Sequence, residues 1–370
     1  MKKRRVLAIL LASAMALSMG ACGSDDKEEP PKTENEGGGN DTESQEVKAT
    51  VIWRAFDDQF QSGFRIIMQN LEEEVGGISL DMQDAANDVS TAVSKLEAAL
   101  TKGTEVVAIC APDRESTKTM MEKCDAEDVP AVFFNMEPME ETMEQYDNIT
   151  YVGAQAKESG EMCAQALINY WNENTEIADK NGDGVLQLVI LQGEIGQQDT
   201  MLRTQAYEDT LKAQGIEYEI LAVDTANWDQ AQALDKMNAW ITAYGIDGIE
   251  GVLCNNDNMA MGAVQACLNN GYNNGDPEKF VPIVGIDSNI DALEAMKAGS
   301  LLGTVLNDRT NQSIAIMNVI KAVKEGKEIT EEVVGVDCTV DGKYVWVPYV
   351  IVDDSNLDSI LEQMSAISQE

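Results

Sequence analysis

From Ala49 onward the chain alternates short apolar runs with apolar residues at helical spacing, and this alternation constrains the fold more than any other feature of its 370 residues. Residues 50–56 read as a strand, after which Phe60, Phe64, Ile67 and Leu71 mark one apolar helical face. Further strands are predicted at 78–82, 106–110 and 131–134, with helices at 89–100 and 116–125. The rhythm restarts after Tyr151, Val152 and Gly153. Strands are predicted at 186–191, 218–223, 251–254 and 281–286, with helices at 160–171, 200–214, 230–244 and 259–269. Runs such as 106–110 are apolar throughout, as in strands buried on both faces. Two successive sets of βα units imply two parallel sheets covered by helices, an α/β architecture with two doubly wound lobes. No sequence repeat relates the two halves.

Charge and composition exclude several functions. The formal net charge is −39, whereas a nucleic-acid or anionic-membrane binder needs a basic footprint. The acidity also favours a neutral ligand over an anionic one. There is no histidine, which removes histidine-dependent triads, His-ligated zinc and the commonest general base. Cys110, Cys124, Cys163, Cys254, Cys267 and Cys338 form no CxxC pair, sit mostly in apolar runs and read as small buried hydrophobes without metal or catalytic roles. Their spacing fixes no disulfide.

The N-terminus reads as an export signal. Lys2, Lys3, Arg4 and Arg5 precede an apolar stretch from Val6 to Met19, too short for a membrane span of about 20 residues. Met19-Gly20-Ala21-Cys22 resembles the lipobox of bacterial lipoproteins, so residues 1–22 are expected to be a signal peptide ending at a lipidated Cys22. Met19 stands where Leu, Val or Ile is usual, and the alternative is an ordinary signal peptide cleaved nearby. Residues 23–48 carry nine acidic and three basic side chains with Pro30-Pro31 and Gly37-Gly38-Gly39. This composition cannot bury enough surface to fold and reads as a disordered tether with a span of roughly 30 Å.

Polar residues cluster where strands end, which is where parallel sheets bind ligands. Asp57 and Asp58 follow the first strand, Asn135 ends another, and Asn255-Asn256-Asp257, Asp287 and Asn307-Asp308 follow three more. A turn or helix cap explains any one of them; five in one chain suggest a common site. A neutral sugar needs planar groups for its hydroxyls and flat rings for its C–H faces. Asp58, Asn135, Asp199, Arg203, Asn256, Asp287 and Asn307 supply the first, and Phe60 and Trp228 are stacking candidates. Asp57 reads as a turn residue, and Met259 and Met261 as helix packing.

Five segments resemble the galactose/glucose-binding periplasmic proteins. They are Phe56-Asp57-Asp58-Gln59-Phe60; Val132-Phe133-Phe134-Asn135 with Glu137-Pro138; Asp224-Thr225-Ala226-Asn227-Trp228-Asp229; the run from Asn255 to Val264; and Gly303-Thr304-Val305-Leu306-Asn307-Asp308. The resemblance spans residues 49 to about 361. It implies hydroxyl-binding roles for Asp58, Asn135, Asp199, Arg203, Asn256, Asp287 and Asn307, with Phe60 and Trp228 sandwiching a pyranose. Gln197 stands where that family often has a histidine; it can still donate and accept, but hydroxyl preference is affected.

Asp179-Lys180-Asn181-Gly182-Asp183-Gly184-Val185-Leu186-Gln187 reads D-x-N-x-D-G-x-x-Q, the first nine positions of an EF-hand-type loop. Its twelfth position is Ile190 instead of a bidentate Glu, and a polar turn is the alternative reading. The resemblance implies closure by Glu250 from a distant strand. It therefore implies a structural Ca²⁺ site of Asp179, Asn181, Asp183, Val185, Gln187 and Glu250.

The resemblance further implies a type I periplasmic-binding-protein fold whose lobes comprise residues 49–154 with 307–346, and 155–306 with 347–362. Chain crossings are expected near Ala154, Asn307 and Val347. A monomeric, exported receptor is expected, which closes over galactose or glucose and is read by an ABC permease and by a chemosensory receptor. The alternatives are a receptor for ribose or xylose and a carboxylate-based glycoside hydrolase. A sugar-responsive repressor is opposed by the export signal and the acidity.

Overall fold

A computed structural model describes residues 46–368. The first sheet starts with β1 (Val47–Trp53), β2 (Ile78–Asp84), β3 (Val106–Ile109), β4 (Ala131–Phe134) and β5 (Ile149–Gly153). Between these strands run α1 (Gln59–Val75), α2 (Val89–Lys102), α3 (Ser116–Ala126) and the single turn α4 (Glu140–Met143). The second sheet follows, with β6 (Leu186–Gln192), β7 (Tyr218–Thr225), β8 (Gly251–Cys254), β9 (Ile283–Val284) and β10 (Thr304–Leu306). Its helices are α5 (Ala156–Glu173), α6 (Thr175–Ala178), α7 (Gln198–Ala213), α8 (Gln230–Tyr244), α9 (Asp257–Asn269) and α10 (Ile290–Lys297). The chain then returns to the first lobe through α11 (Arg309–Lys324), α12 (Glu331–Val334), β11 (Thr339–Asp341) and β12 (Tyr344–Trp346). It ends with β13 (Val350–Val352) and α13 (Leu357–Ser368).

The first sheet has the order β11-β12-β5-β4-β3-β1-β2, parallel except for the edge strand β11. The second runs β7-β6-β8-β9, and parallel bridges Val284–Gly303 and Asp287–Leu306 continue it to β10, which β13 joins antiparallel. Both lobes thus share the doubly wound order in which the chain reverses direction beside the first strand, leaving a crevice at the carboxyl ends of the strands. The chain passes between lobes at residues 154–155, 307–308 and 347–349.

Each lobe has its own core. In the first, Trp53, Phe64 and Phe134 meet edge to face with ring centroids 5.0–5.7 Å apart, beneath the end of β1 and the start of α1. In the second, α5 and α7 lie close enough that a Cβ on Gly160 would sit 2.6 Å from the Arg203 carbonyl oxygen. Only glycine permits that approach, and it presses Arg203 against the sheet. α13 packs on both α1 and α10, its Leu357, Ile360 and Met364 clustering with Ile67 and Leu293.

Several expected boundaries shift. β1 begins at Val47, not residue 50, and leaves the sheet after Trp53, not residue 56. The Val47 N–H donates to the Gly77 carbonyl and Val47 pairs with Ile78, so the last two tether residues, Val47 and Lys48, belong to the sheet. The strand expected at 281–286 shortens to Ile283–Val284, because bridging to the next strand replaces a continuous ladder. A last helix, α13, with no counterpart among the predicted elements, runs to Ser368, past residue 362 where the second lobe is expected to end. Residues 1–45, with the signal segment, Cys22 and most of the tether, lie outside the described residues. No described helix is long and apolar enough to cross a membrane.

Candidate functional site

Ten residues singled out from the sequence line one cavity between the lobes. Asp58, Phe60, Asn135, Gln197, Asp199, Arg203, Trp228, Asn256, Asp287 and Asn307 surround about 540 Å³ of free space.

The first lobe supplies three of them. Asp58 is the N-cap of α1, its Oδ1 accepting from the Gln61 N–H at 2.9 Å, while Oδ2 accepts from Arg54 at 3.1 Å. The cap and the ligand-facing role coincide in one side chain. Phe60, two residues later, rests edge-on against Phe64, with the Arg309 guanidinium 5.1 Å from its ring centroid. Asn135 follows β4 in the left-handed region, at φ 59°. Its Oδ1 accepts from Gln61 Nε2 at 2.6 Å and its carbonyl from the Tyr151 hydroxyl at 3.2 Å.

The second lobe, with the crossing at 307–308, supplies the rest. Asp199 and Arg203 lie one turn apart on α7 and pair at 3.4 Å. Arg203 is buried and donates to the Ser159 hydroxyl, the Asn255 carbonyl and the Tyr349 hydroxyl at 3.1, 2.8 and 3.0 Å. Trp228 follows β7 at φ 63°, and its Nε1 donates to Gln197 Oε1 at 3.0 Å. Its indole lies against Gly193, where a Cβ would come within 2.1 Å of the ring. Asn256 caps α9 by accepting from the Met259 N–H at 3.0 Å and donates to the Trp228 carbonyl at 3.3 Å. Asn307, after β10, accepts from Gln312 Nε2 at 2.6 Å.

Asp287 is the most strained of the set, at φ 124° and 4% exposed. Burial pushes its carboxyl up to about 8, against the opposing pull of Arg203 and Arg309, with Asp257 adding to the rise. Asp257 behind it is likewise raised by burial, to about 7, although Thr304 Oγ1 and the Asn289 N–H donate to it at 2.7 and 2.8 Å. Backbone strain concentrated at Asn135, Trp228 and Asp287 is typical of positions fixed for ligand binding.

The sequence did not point to four other lining residues, Arg54, Gln61, Met136 and Gln198. Arg54 fell inside the expected first strand, yet its spacing of four from Asp58 was a readable signal. Gln61 reaches Asn135 across 74 positions, and nothing local announces that contact. Two polar contacts cross the cleft directly: Gln198 donates to Glu137 at 3.0 Å, and Arg54 faces Glu194 at 3.6 Å. Asp57 is exposed, while Met259 and Met261 pack within or against the second core, as read from the sequence. The six described cysteines are unpaired thiols, five of them buried.

The acidic loop is assembled as a turn closed by Glu250. Asp179 Oδ1 accepts from the Gly182 and Asp183 N–H groups, and its Oδ2 from that of Gly184 at 2.9 Å. Asn181 Nδ2 donates to Asp183 Oδ2 at 3.0 Å and to Gln187 Oε1 at 3.2 Å. Glu250 is buried, its oxygens accepting from the Lys180 and Gln187 N–H groups at 2.7 and 3.1 Å, and burial raises its carboxyl. No three acidic, cysteine or histidine side chains among the described residues are grouped to hold a metal by themselves. Any cation here would also need the Asn181 and Gln187 amide oxygens and the Val185 carbonyl. That hard-oxygen donor set is of the kind calcium takes, whereas in the turn as it stands the Asn181 and Gln187 amide N–H groups both donate to Asp183 Oδ2.

Residues 49–328 match the family described as periplasmic binding protein domain. The chain belongs to the periplasmic binding proteins. The D-galactose/methyl-galactoside binding periplasmic protein MglB of Haemophilus influenzae is 36% identical over 307 residues, covering 83% of this chain and 89% of that protein. A putative rhizopine-binding protein of Rhizobium meliloti is 28% identical over 306 residues, covering 82% of this chain and 88% of its own length. Among solved structures, a Bacillus halodurans ABC transporter solute binding protein with bound myo-inositol superposes with TM-score 0.71 at 21% identity, over 86% of this chain and 98% of its own. A galactofuranose binding protein does so with TM-score 0.72 at 16% identity, over 87% and 99%. These structures share the type I fold. As a periplasmic binding protein the molecule is a transport receptor, not an enzyme, and its family is an exported one.

Proposed function

We propose that this receptor binds D-galactose or D-glucose and delivers it to an ABC permease by closing its lobes over the sugar. The observation that carries the reading is the cavity itself. Two aromatic side chains, Phe60 and Trp228, enter it from opposite lobes among amide, carboxylate and guanidinium groups. That combination suits a pyranose, with apolar faces and a ring of hydroxyls. The similarity to a galactose-binding relative supports the choice of hexose. Ligand bridging both walls favours the closed form, which the permease and a chemosensory receptor would read.

Isothermal titration with galactose, glucose, ribose and xylose tests the reading. One hexose should bind one to one, and Asp58→Ala and Asn256→Ala should each weaken it by at least about tenfold, a loss of about 1.4 kcal/mol. Unchanged affinity in both variants would remove these residues from the site. A second reading is a receptor for another polyol, because the relatives include rhizopine- and xylitol-binding proteins. Tight xylitol or inositol binding without hexose binding would establish it.

The loop at 179–187 is proposed to hold a structural Ca²⁺ with Asp179, Asn181, Asp183, Val185, Gln187 and Glu250. Calcium should raise the thermal midpoint, EGTA should lower it, and Asp183→Ala should abolish the difference. Cys22 is proposed as the lipid-anchored N-terminus of a monomeric receptor on the outer face of the cell membrane. Radiolabelled palmitate incorporation that is lost in Cys22→Ser checks the anchor.

A further inference from the structure

A cation outside the sugar cavity grips the stacking ring of the first lobe. Arg309 opens α11 directly after the crossing at 307–308 and is 4% exposed. It does not line the sugar cavity; it lines a separate hollow between α1, α10 and α13. Its guanidinium carbon lies 5.1 Å from the centre of the Phe60 ring, within cation–π range. Phe64 meets the same ring edge to face, with centroids 6.0 Å apart. Phe60 faces the cavity and Arg309 does not, so any effect of the guanidinium on a stacked sugar passes through the ring.

Two other residues fit this cation. Gly63 lies inside α1, where a helix disfavours glycine. A Cβ there would sit 2.8 Å from Arg309 Nη1, so the guanidinium fills the space that a side chain would take. Asn289 of the second lobe accepts from Nη1 at 3.1 Å, and its own N–H is fixed on Asp257 at 2.8 Å. Beyond that, Arg309 is poorly paired. Its Nε is buried without a partner, and burial opposes its charge, which Asp287, Asp257, Asp308 and Asp291 favour. Arg203, by contrast, has three hydrogen-bond partners. A buried cation with so few contacts costs the fold more than it returns, so a role in the fold alone does not account for it.

We infer that Arg309 is a positioning residue for sugar binding: it aims the Phe60 ring from outside the cavity and ties it to Asn289 of the second lobe. The inference rests on the hexose reading above and adds a residue to that same site. A ring already set at its stacking position needs no ordering when the sugar arrives, and that saving appears as affinity.

The test is calorimetric titration with D-galactose and D-glucose of the wild type, Arg309→Met and Arg309→Lys, beside their thermal midpoints. Arg309→Met fills the space without the charge and should weaken hexose binding by about fivefold, the size of a modest cation–π contact. Its midpoint should not fall, because a poorly paired buried cation has been removed. Arg309→Lys keeps a cation over the ring and should bind within about twofold of wild type. Phe60→Leu keeps an apolar contact without a π face, and adding Arg309→Met to it should cost no further affinity. Equal losses in Arg309→Met and Arg309→Lys would overturn the brace. So would a loss that persists undiminished beside Phe60→Leu, which would place the effect on Asp287, whose carboxyl also feels this cation. Midpoints that fall together with affinity in both variants would reduce Arg309 to a structural role and overturn it as well. Failure of the hexose reading shows in the wild type, which then binds neither sugar, and the brace falls with it; failure of the brace alone shows only in the variants.

Discussion

The two lobes share a strand order but hold their ligand-facing groups by different means. In the first, Asp58 and Asn135 are fixed over an aromatic core by a helix cap and the Gln61 amide, with the partly exposed Arg54–Asp58 pair as the one charged support. In the second, the groups stand on buried charge. Arg203, Asp257 and Asp287 are each no more than 4% exposed, and burial raises the two carboxyls to about 7 and about 8. A neutral device can be removed at the cost of a hydrogen bond. A buried charge cannot be removed without leaving its partners uncompensated. The first wall should therefore tolerate substitution, and the second should not.

The sharpest way to break this contrast is Arg203→Met. The methionine fills the space but leaves Tyr349, Ser159 and the Asn255 carbonyl without their donor. The expected loss is about 3–5 kcal/mol in urea unfolding, with hexose binding abolished. A loss under about 1 kcal/mol would place the second wall with the first.

The next effect is a pH dependence carried by Asp287. Its folded value of about 8 lies above the ordinary carboxyl value of 3.8, so the native state holds the proton more tightly than the unfolded chain. Its stabilising contribution is complete below about pH 4 and is lost as pH rises through about 8. Asp287→Asn stays neutral at every pH. Its thermal midpoint should gain on that of the wild type as pH rises from 5 to 9. Parallel midpoints across that range would mean the carboxylate is compensated by Arg203 and Arg309.

Much of this arrangement was legible in the sequence, and the reason differs between the lobes. Strand-end residues could be found because parallel strands are short and apolar and end abruptly in polar ones, as at Phe134-Asn135 and Cys254-Asn255. The ten lining residues followed from such ends together with the family resemblance. The supports behind them were not legible. Ser159, Tyr349 and Asn255 meet Arg203 from sequence separations of 44, 146 and 52 residues, and no periodicity encodes such contacts. Val47 was missed for a different reason. Its acidic, glycine-rich neighbours hide an ordinary strand start that only pairing with β2 reveals.

Gly193→Ala probes the second wall without touching a charge. The added Cβ would press on the Trp228 indole, and the neighbouring ring must shift. Overpacking of this kind costs about 1–3 kcal/mol of stability, and here it also displaces the stacking face, so both the unfolding midpoint and the affinity should drop. Quenching of tryptophan fluorescence by added sugar should shrink in parallel. A variant that binds normally would mean the ring has room to move.

The smallest effect belongs to Gln61→Ala in the first wall. Gln61 is 3% exposed and orients Asn135 through a 2.6 Å hydrogen bond, but its own Oε1 is buried with no partner. Truncation loses one hydrogen bond, worth about 1 kcal/mol net, and also removes an unsatisfied buried oxygen whose desolvation opposed folding. The two terms have opposite signs and similar size, so stability should stay within about 0.5 kcal/mol of wild type. Affinity should still fall by roughly three- to tenfold, because Asn135 sits at a left-handed φ and loses the contact that aims its amide. If stability fell as far as in Arg203→Met, neutral and charged supports would be equivalent here and the contrast between the lobes would vanish.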